Sequence, residues 1–143
     1  MFAPEMAILV ALDDSEPSKK ALEYALDQFP SEEVITLHVI DPARHIETSG
    51  IHVDWSAEMD RREAVAEALS EEAEVIAASR DTTVTTRAIL GRPEREIVLF
   101  AEQEDVDHVV VGSHGRSGIS RAILGSTADR VVRRSPVPVT VVR

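Results

Sequence analysis

With 143 residues, 43% of them apolar, the chain has the size of one domain spanning 1–143 and the material for a single core, which argues against a two-domain layout. It has no cysteine, so disulfide frameworks and thiolate metal sites are excluded and a reducing compartment fits. The net charge of −11 is uneven: residues 112–143 hold six Arg against the single acid Asp129, whereas residues 1–111 hold nine bases and 25 acids, a field that repels extended nucleic acid and focuses a small polyanion on the basic end.

The chain shows no secretory signal pattern and no 18-residue apolar run, so a soluble cytoplasmic protein away from membranes is expected. Residues 7–12 read as a buried strand ending at Asp13-Asp14-Ser15, where Asp14 is the expected helix cap. Ala21, Leu22, Ala25, Leu26 and Phe29 then recur at helical spacing, and Pro30 marks the stop. A second strand over 34–40 is bounded by Asp41-Pro42. Residues 41–56 form the one long irregular stretch, with Gly50 and the sole tryptophan, Trp55, and make a candidate lid or partner-contact loop. A helix over 57–79 is predicted to present Ala66, Leu69, Ala73, Ile76 and Ala77 on one face while its Glu residues meet water. A third strand over 84–90 follows, then Gly91-Arg92-Pro93 turns into a helix carrying Ile97, Val98 and Ala101. A fourth strand is predicted over 108–111, a short helix over 126–134 ended by Ser135-Pro136, and a last strand over 137–142. Alternating strands and helices without an internal repeat imply right-handed crossovers and an α/β fold, a mainly parallel sheet covered on both faces.

The most informative run is 109–132, VVVGSHGRSGISRAILGSTADRVV: a strand, a glycine-spaced loop, then a helix opening at Gly125-Ser126-Thr127. Without Cβ atoms, Gly112 and Gly115 permit positive φ and close approach of main-chain N–H groups to a ligand. A helix mouth at Gly125, Ser126 and Thr127 offers unsatisfied N–H groups and the positive end of a dipole, which favour phosphate. Ser126 can cap that helix or bond an oxyanion, and Arg116 and Arg121 can pair with phosphate in forked geometry. The structural reading is that the glycines are turn residues and Ser126 a cap. No Lys follows the last glycine, so this is not a Walker A loop, and it is not G-x-G-x-x-G. No catalytic set accompanies the loop, and His38, His45, His52, His108 and His114 form no metal-ligand pair. His38 reads as a hydrogen-bonded packing residue, and His114 as a solvent-facing loop residue.

The spacing Gly112-x2-Gly115-x9-Gly125-Ser126 resembles the ATP-binding signature of the universal stress protein family. ILVALDDSEPSKKALEYAL, VITLHVID, GRPEREIVLFAEQEDVDHVVVGSHG and SPVPVTVVR resemble further elements of it, so the likeness covers essentially the full length. The resemblance implies a Rossmann-like five-stranded sheet in the order 3-2-1-4-5. That order would set Asp13 after strand one against Gly112 after strand four, where open α/β sheets bind ligands. It also implies ATP as the ligand, its nucleoside near Ala11, Asp13 and the backbone of Val39, and its phosphates along Gly112, Gly115, Arg116, Gly125, Ser126 and Thr127. Ala11 stands where ATP-binding members commonly carry proline. Mg²⁺ or Mn²⁺ would be held mainly by the phosphates and water, with no separate metal site.

Three functions stay open on this reading: a nucleotide-dependent regulatory module of stress response, a slow ATP hydrolase using Asp13 or His114, and a dimeric scaffold. The apolar terminal strand, with Val137, Val139, Val141 and Val142, would lie at the sheet edge and invite homodimer pairing. Only two of the bases are Lys, Lys19 and Lys20, and together with the acidic excess this resembles proteins adapted to high salt.

Overall fold

The apolar run after Met6 becomes β1 (Ala7–Ala11), in which Ile8, Leu9 and Val10 are wholly buried. The computed structural model describes residues 3–43, 54–114 and 124–143. In chain order β1 is followed by α1 (Glu16–Gln28), β2 (Glu33–Ile40), α2 (Trp55–Ala78), β3 (Thr85–Leu90), α3 (Pro93–Gln103), β4 (His108–Gly112), α4 (Ser126–Arg134) and β5 (Val139–Val142). All strand pairs are parallel, in the order β3-β2-β1-β4-β5. The implied sheet is therefore the one observed.

Strand alternation divides the core in two, because successive side chains leave a strand on opposite faces. Ile8, Val10, Leu12, Val34 and Val110 pack with Leu22 and Leu26 of α1 and Leu69 and Ala73 of α2. Leu9, Leu37, Val109 and Val111 pack with Ile97 and Phe100 of α3 and Ala128 and Val131 of α4. Thus α1 and α2 cover one face and α3 and α4 the other, the expected two-sided layout. The α2 face expected from periodicity is the buried one, with Ala66, Leu69, Ala73 and Ala77 inside and Ile76 packed beside them.

Two boundaries differ from the sequence reading by more than one residue. The second helix starts at Trp55, because the Asp54 side chain accepts the Ala57 N–H at 3.2 Å and caps it. Trp55 is therefore a helical residue of the first turn, 48% exposed, and not part of an irregular loop. Residues 44–53 of the expected lid lie outside the described residues. β5 starts at Val139 because Val137 is tied into a turn: its N–H donates to Ser135 Oγ at 3.2 Å, and Ser135 Oγ donates to its carbonyl at 2.8 Å.

His38 behaves as expected, with its Nδ1 2.9 Å from the Leu12 carbonyl. At the amino-terminal edge of the sheet, His108 Nε2 lies 2.7 Å from Thr140 Oγ1 and the ring packs against Phe29, so burial lowers its pKa below the ordinary histidine value. Among the described residues no helix is long and apolar enough to cross a membrane.

Candidate functional site

Because β1 leads into α1 on one face while its neighbour β4 leads to α4 on the other, a crevice opens at the carboxyl edge between them. Ala11, Asp13, Val39, Gly112, Gly125, Ser126 and Thr127 all belong to this edge, since each ends a parallel strand or begins the chain after it. Gly115, Arg116 and Arg121 lie outside the described residues.

On the β1 side the turn is closed upon itself. Ser15, not Asp14, caps α1: it has extended φ and ψ, and its Oγ accepts the Ser18 N–H at 3.3 Å. Asp13 Oδ1 accepts the Ser15 N–H at 2.8 Å and also the Ser15 hydroxyl. Ser18 Oγ accepts the Asp13 N–H at 3.1 Å and donates to the Asp13 carbonyl at 2.8 Å. Asp13 is thus held by main chain and side chain, half-buried, at the lip of the crevice.

Gly112 differs from the expectation. Gly91 is the only described glycine with positive φ, so Gly112 is not there for a left-handed conformation. A Cβ at 112 would lie 2.7 Å from the Pro17 carbonyl carbon and 2.9 Å from the Ser18 nitrogen. What approaches Gly112 closely is the first turn of α1.

Across the crevice Gly125, not Ser126, is the N-cap of α4, and no side chain caps the helix. The Gly125 N–H donates to the Ser113 carbonyl at 2.6 Å, and the Ser113 N–H donates to the Val142 carbonyl at 2.7 Å. A Cβ on Gly125 would sit 2.9 Å from His114 Cα, so the missing side chain lets α4 begin directly over Ser113-His114. The Gly125 N–H is therefore engaged. The N–H groups of Ser126, Thr127 and Ala128, the first turn of an uncapped helix, have no intrahelical partners. The start of α3 is also uncapped, but its first residue, Pro93, has no N–H to leave unpaired.

Val39 supplies a third group of main-chain polar atoms. In β2 the Leu37 carbonyl accepts the Leu12 N–H and the Ile40 carbonyl accepts the Gly91 N–H, so odd residues face β1 and even residues face β3. Val39 accordingly aims its N–H and C=O to the β1 side, beyond the end of β1.

One feature here had no motif behind it. Arg62 of α2 donates from Nε to Glu58 Oε1 at 3.0 Å and from Nη1 to the Asp41 carbonyl at 2.5 Å. Glu58 and Arg62 at i,i+4 were visible on a helical wheel; the reach to Asp41, 21 positions away, was not. The described residues bring together no group of three His, Cys, Asp or Glu suited to a metal.

Residues 6–143 match the universal stress protein family. Similar relatives include Universal stress protein MJ0577 of Methanocaldococcus jannaschii, 34% identical over 95% of this chain and 93% of the relative. Universal stress protein YxiE of Bacillus subtilis is 35% identical over 95% and 97% respectively. The solved structure of MJ0577 superposes with a TM-score of 0.82 at 31% identity, covering 98% of this chain and 96% of that one. The universal stress protein from Archaeoglobus fulgidus in complex with dAMP, 21% identical, shares the fold with a TM-score of 0.72 over 99% and 100%.

Proposed function

Because this chain belongs to the universal stress protein family, we propose that it is an ATP-binding regulatory module of stress response, acting through nucleotide-dependent conformation or partner binding. The observation that carries the reading is that the locked Asp13 turn follows β1 and the uncapped start of α4 is bonded to Ser113 directly after the neighbouring β4, so both belong to the same edge of the sheet. Ser126 and Thr127 N–H groups suit phosphate oxygens, as helix starts do. The outward N–H and C=O of Val39 form a donor and acceptor pair able to read an adenine edge, with Ala11 and Asp13 beside the nucleoside. Gly115 and Arg116 complete the phosphate loop on the sequence reading. Gly112 contributes by seating α1, and Gly125 by seating α4. Mg²⁺ or Mn²⁺ would be carried by the phosphates and water.

The same reading includes a homodimer through residues 137–142. β5 is an open edge of the sheet, and Val139, Val141 and Val142 are each only half-buried.

The test is thermal unfolding with ATP, AMP, GTP and inorganic tripolyphosphate, each with and without Mg²⁺, on samples also measured by light scattering. A ligand that selects the folded state at a hundredfold excess over Kd adds about 2.7 kcal/mol of stability. ATP with Mg²⁺ is expected to raise the midpoint and to be recovered intact, on a particle of twice the chain mass. No shift with any nucleotide overturns the site, recovery as ADP moves the assignment to a hydrolase, and a monomer removes the dimer.

A further inference from the structure

The sheet has two open edges, and they are built differently. β5, at one end, is preceded by Pro136 and Pro138 and bears no charged side chain, whereas β3, at the other, carries neither proline nor lysine to blunt it. Just after β3 the Gly91 N–H donates to the Ile40 carbonyl, so in this parallel ladder the odd residues turn their polar groups to β2, and Thr86, Ala88 and Leu90 turn theirs outward. Ala88 is exposed and Leu90 is 57% exposed, so this row is open to an incoming strand.

Acids line that edge on both faces of the sheet. α2 lies over β2 and β3, and its Glu72 pairs with Lys19 of α1 at 3.1 Å, which marks the flank of α2 that faces α1. At about 100° per residue, Glu63, Glu67 and Glu74 stand roughly 140–180° round the helix from Glu72, on the flank toward the outer side of β3. All three are exposed and, among the described residues, none has an ion-pair partner. On the other face the Glu96 carboxylate lies against Gly91, where an added Cβ would sit 2.7 Å from its Oε1. Glu63 and Glu67 are about 6 Å apart along the helix axis, close to the roughly 6.6 Å between alternate residues of a strand.

We propose that the outer edge of β3 is a docking surface for an extended basic segment of another protein, which adds a strand through main-chain bonds to Thr86, Ala88 and Leu90 and sets Lys or Arg on alternate residues against Glu63 and Glu67. A second copy of this chain is the poorer occupant, because its two open strands bring one base, Arg87, and the same acids. β2 and β1 separate this edge from β4, so the docking surface does not depend on the nucleotide reading.

The experiment is titration of the isotope-labelled whole chain with an acetylated, amidated hexapeptide of alternating Lys and Val, followed by backbone amide shifts. Two N-methylated forms, each blocking the N–H groups on one side of the extended peptide, and a form with Glu in place of Lys are compared with it. The parent peptide is expected to move the amides of Thr86, Ala88 and Leu90. One methylated form should bind about tenfold more weakly and the other within about twofold of the parent, because only one side of a docked strand meets β3. Glu63→Gln with Glu67→Gln should weaken the parent peptide by about three- to tenfold at low salt, and the Glu form should not bind. No shift at β3, shifts centred on residues 139–142, equal weakening by both methylated forms, or an unchanged affinity in the Gln pair overturns the docking surface. β3 amides that move on dilution of the chain alone assign the edge to a second copy and overturn it as well.

Discussion

Gly112 shows how a motif residue can have its cause in packing. The atoms that a methyl group at 112 would strike are the Pro17 carbonyl carbon and Cβ, at 2.7 and 2.8 Å, and the Ser18 nitrogen at 2.9 Å. Two are main chain and the third belongs to a proline ring, so none can swing aside. α1 would have to lift away from β4, and its first turn is the one that holds Asp13 through Ser15 and Ser18. Gly112→Ala is therefore expected to lower stability by about 1–3 kcal/mol, measured by urea unfolding without nucleotide. Stability equal to wild type would mean that the glycine serves the ligand alone. Any loss of nucleotide binding in this variant should accompany the displaced Asp13 turn. Gly125 differs in kind: its neighbours are His114 Cα and the Ser113 carbonyl, so it sets where α4 starts.

The helices on the two sides of the crevice end differently, and the difference is measurable. α1 begins with a cap whose oxygen is bonded to Ser18 and whose hydroxyl reaches Asp13. Ser15→Ala should cost about 1–2 kcal/mol, with or without ATP. α4 has no side-chain cap to lose, so Ser126→Ala should change stability by less than about 0.5 kcal/mol and, although alanine keeps the N–H, should weaken ATP binding through loss of the hydroxyl's bond to phosphate. Chemical unfolding and titration of the two variants read both quantities. Equal destabilisation of the two would mean that Ser126 supports its helix and not a ligand. Much of this was legible in the sequence. The helices and the strands β1, β2 and β4 show their period, because each buries one stripe or one run of apolar residues, as in Ile8-Leu9-Val10 or Leu69-Ala73, whereas β3 and β5 at the sheet edges bury none. The caps were less legible, since Asp14, Ser15 and Ser126 are all good capping residues and only the dihedral angles select one. The strand order came from family resemblance, because pairing of β1 with β4 joins residues about a hundred apart and leaves no local period. The Arg62 to Asp41 contact had no local signal either, depending on how α2 lies over β2.

At the scale of the whole molecule, the acidic excess has a definite address. Asp60, Glu63, Glu67, Glu71 and Glu74 are exposed along α2 at spacings of three and four, so each faces another carboxylate on the helix surface. The described ion pairs of this helix involve Glu58 with Arg61 and Arg62, and Glu72 with Lys19, whose pKa is raised by that hydrogen bond. None relieves the outer row, and the last turn has no basic residue to offset the helix dipole. Like charges at these spacings oppose the helix by about 0.2–0.5 kcal/mol per pair, so the row costs on the order of 1–2 kcal/mol at low salt. The screening length falls from about 10 Å at 0.1 M to about 3 Å at 1 M, below the separation of the row's neighbours. The unfolding midpoint should therefore rise by a few degrees between about 0.1 and 1 M KCl and then level off. A general salting-out effect would keep rising without a plateau. Glu67→Lys separates this row from the rest of the charge: it turns two repulsions, with Glu63 and Glu71, into attractions. That variant should be more stable than wild type at low salt and gain less from KCl. A midpoint that stays flat or falls with KCl in the wild type, or an undiminished gain in Glu67→Lys, would remove α2 as the seat of the salt response.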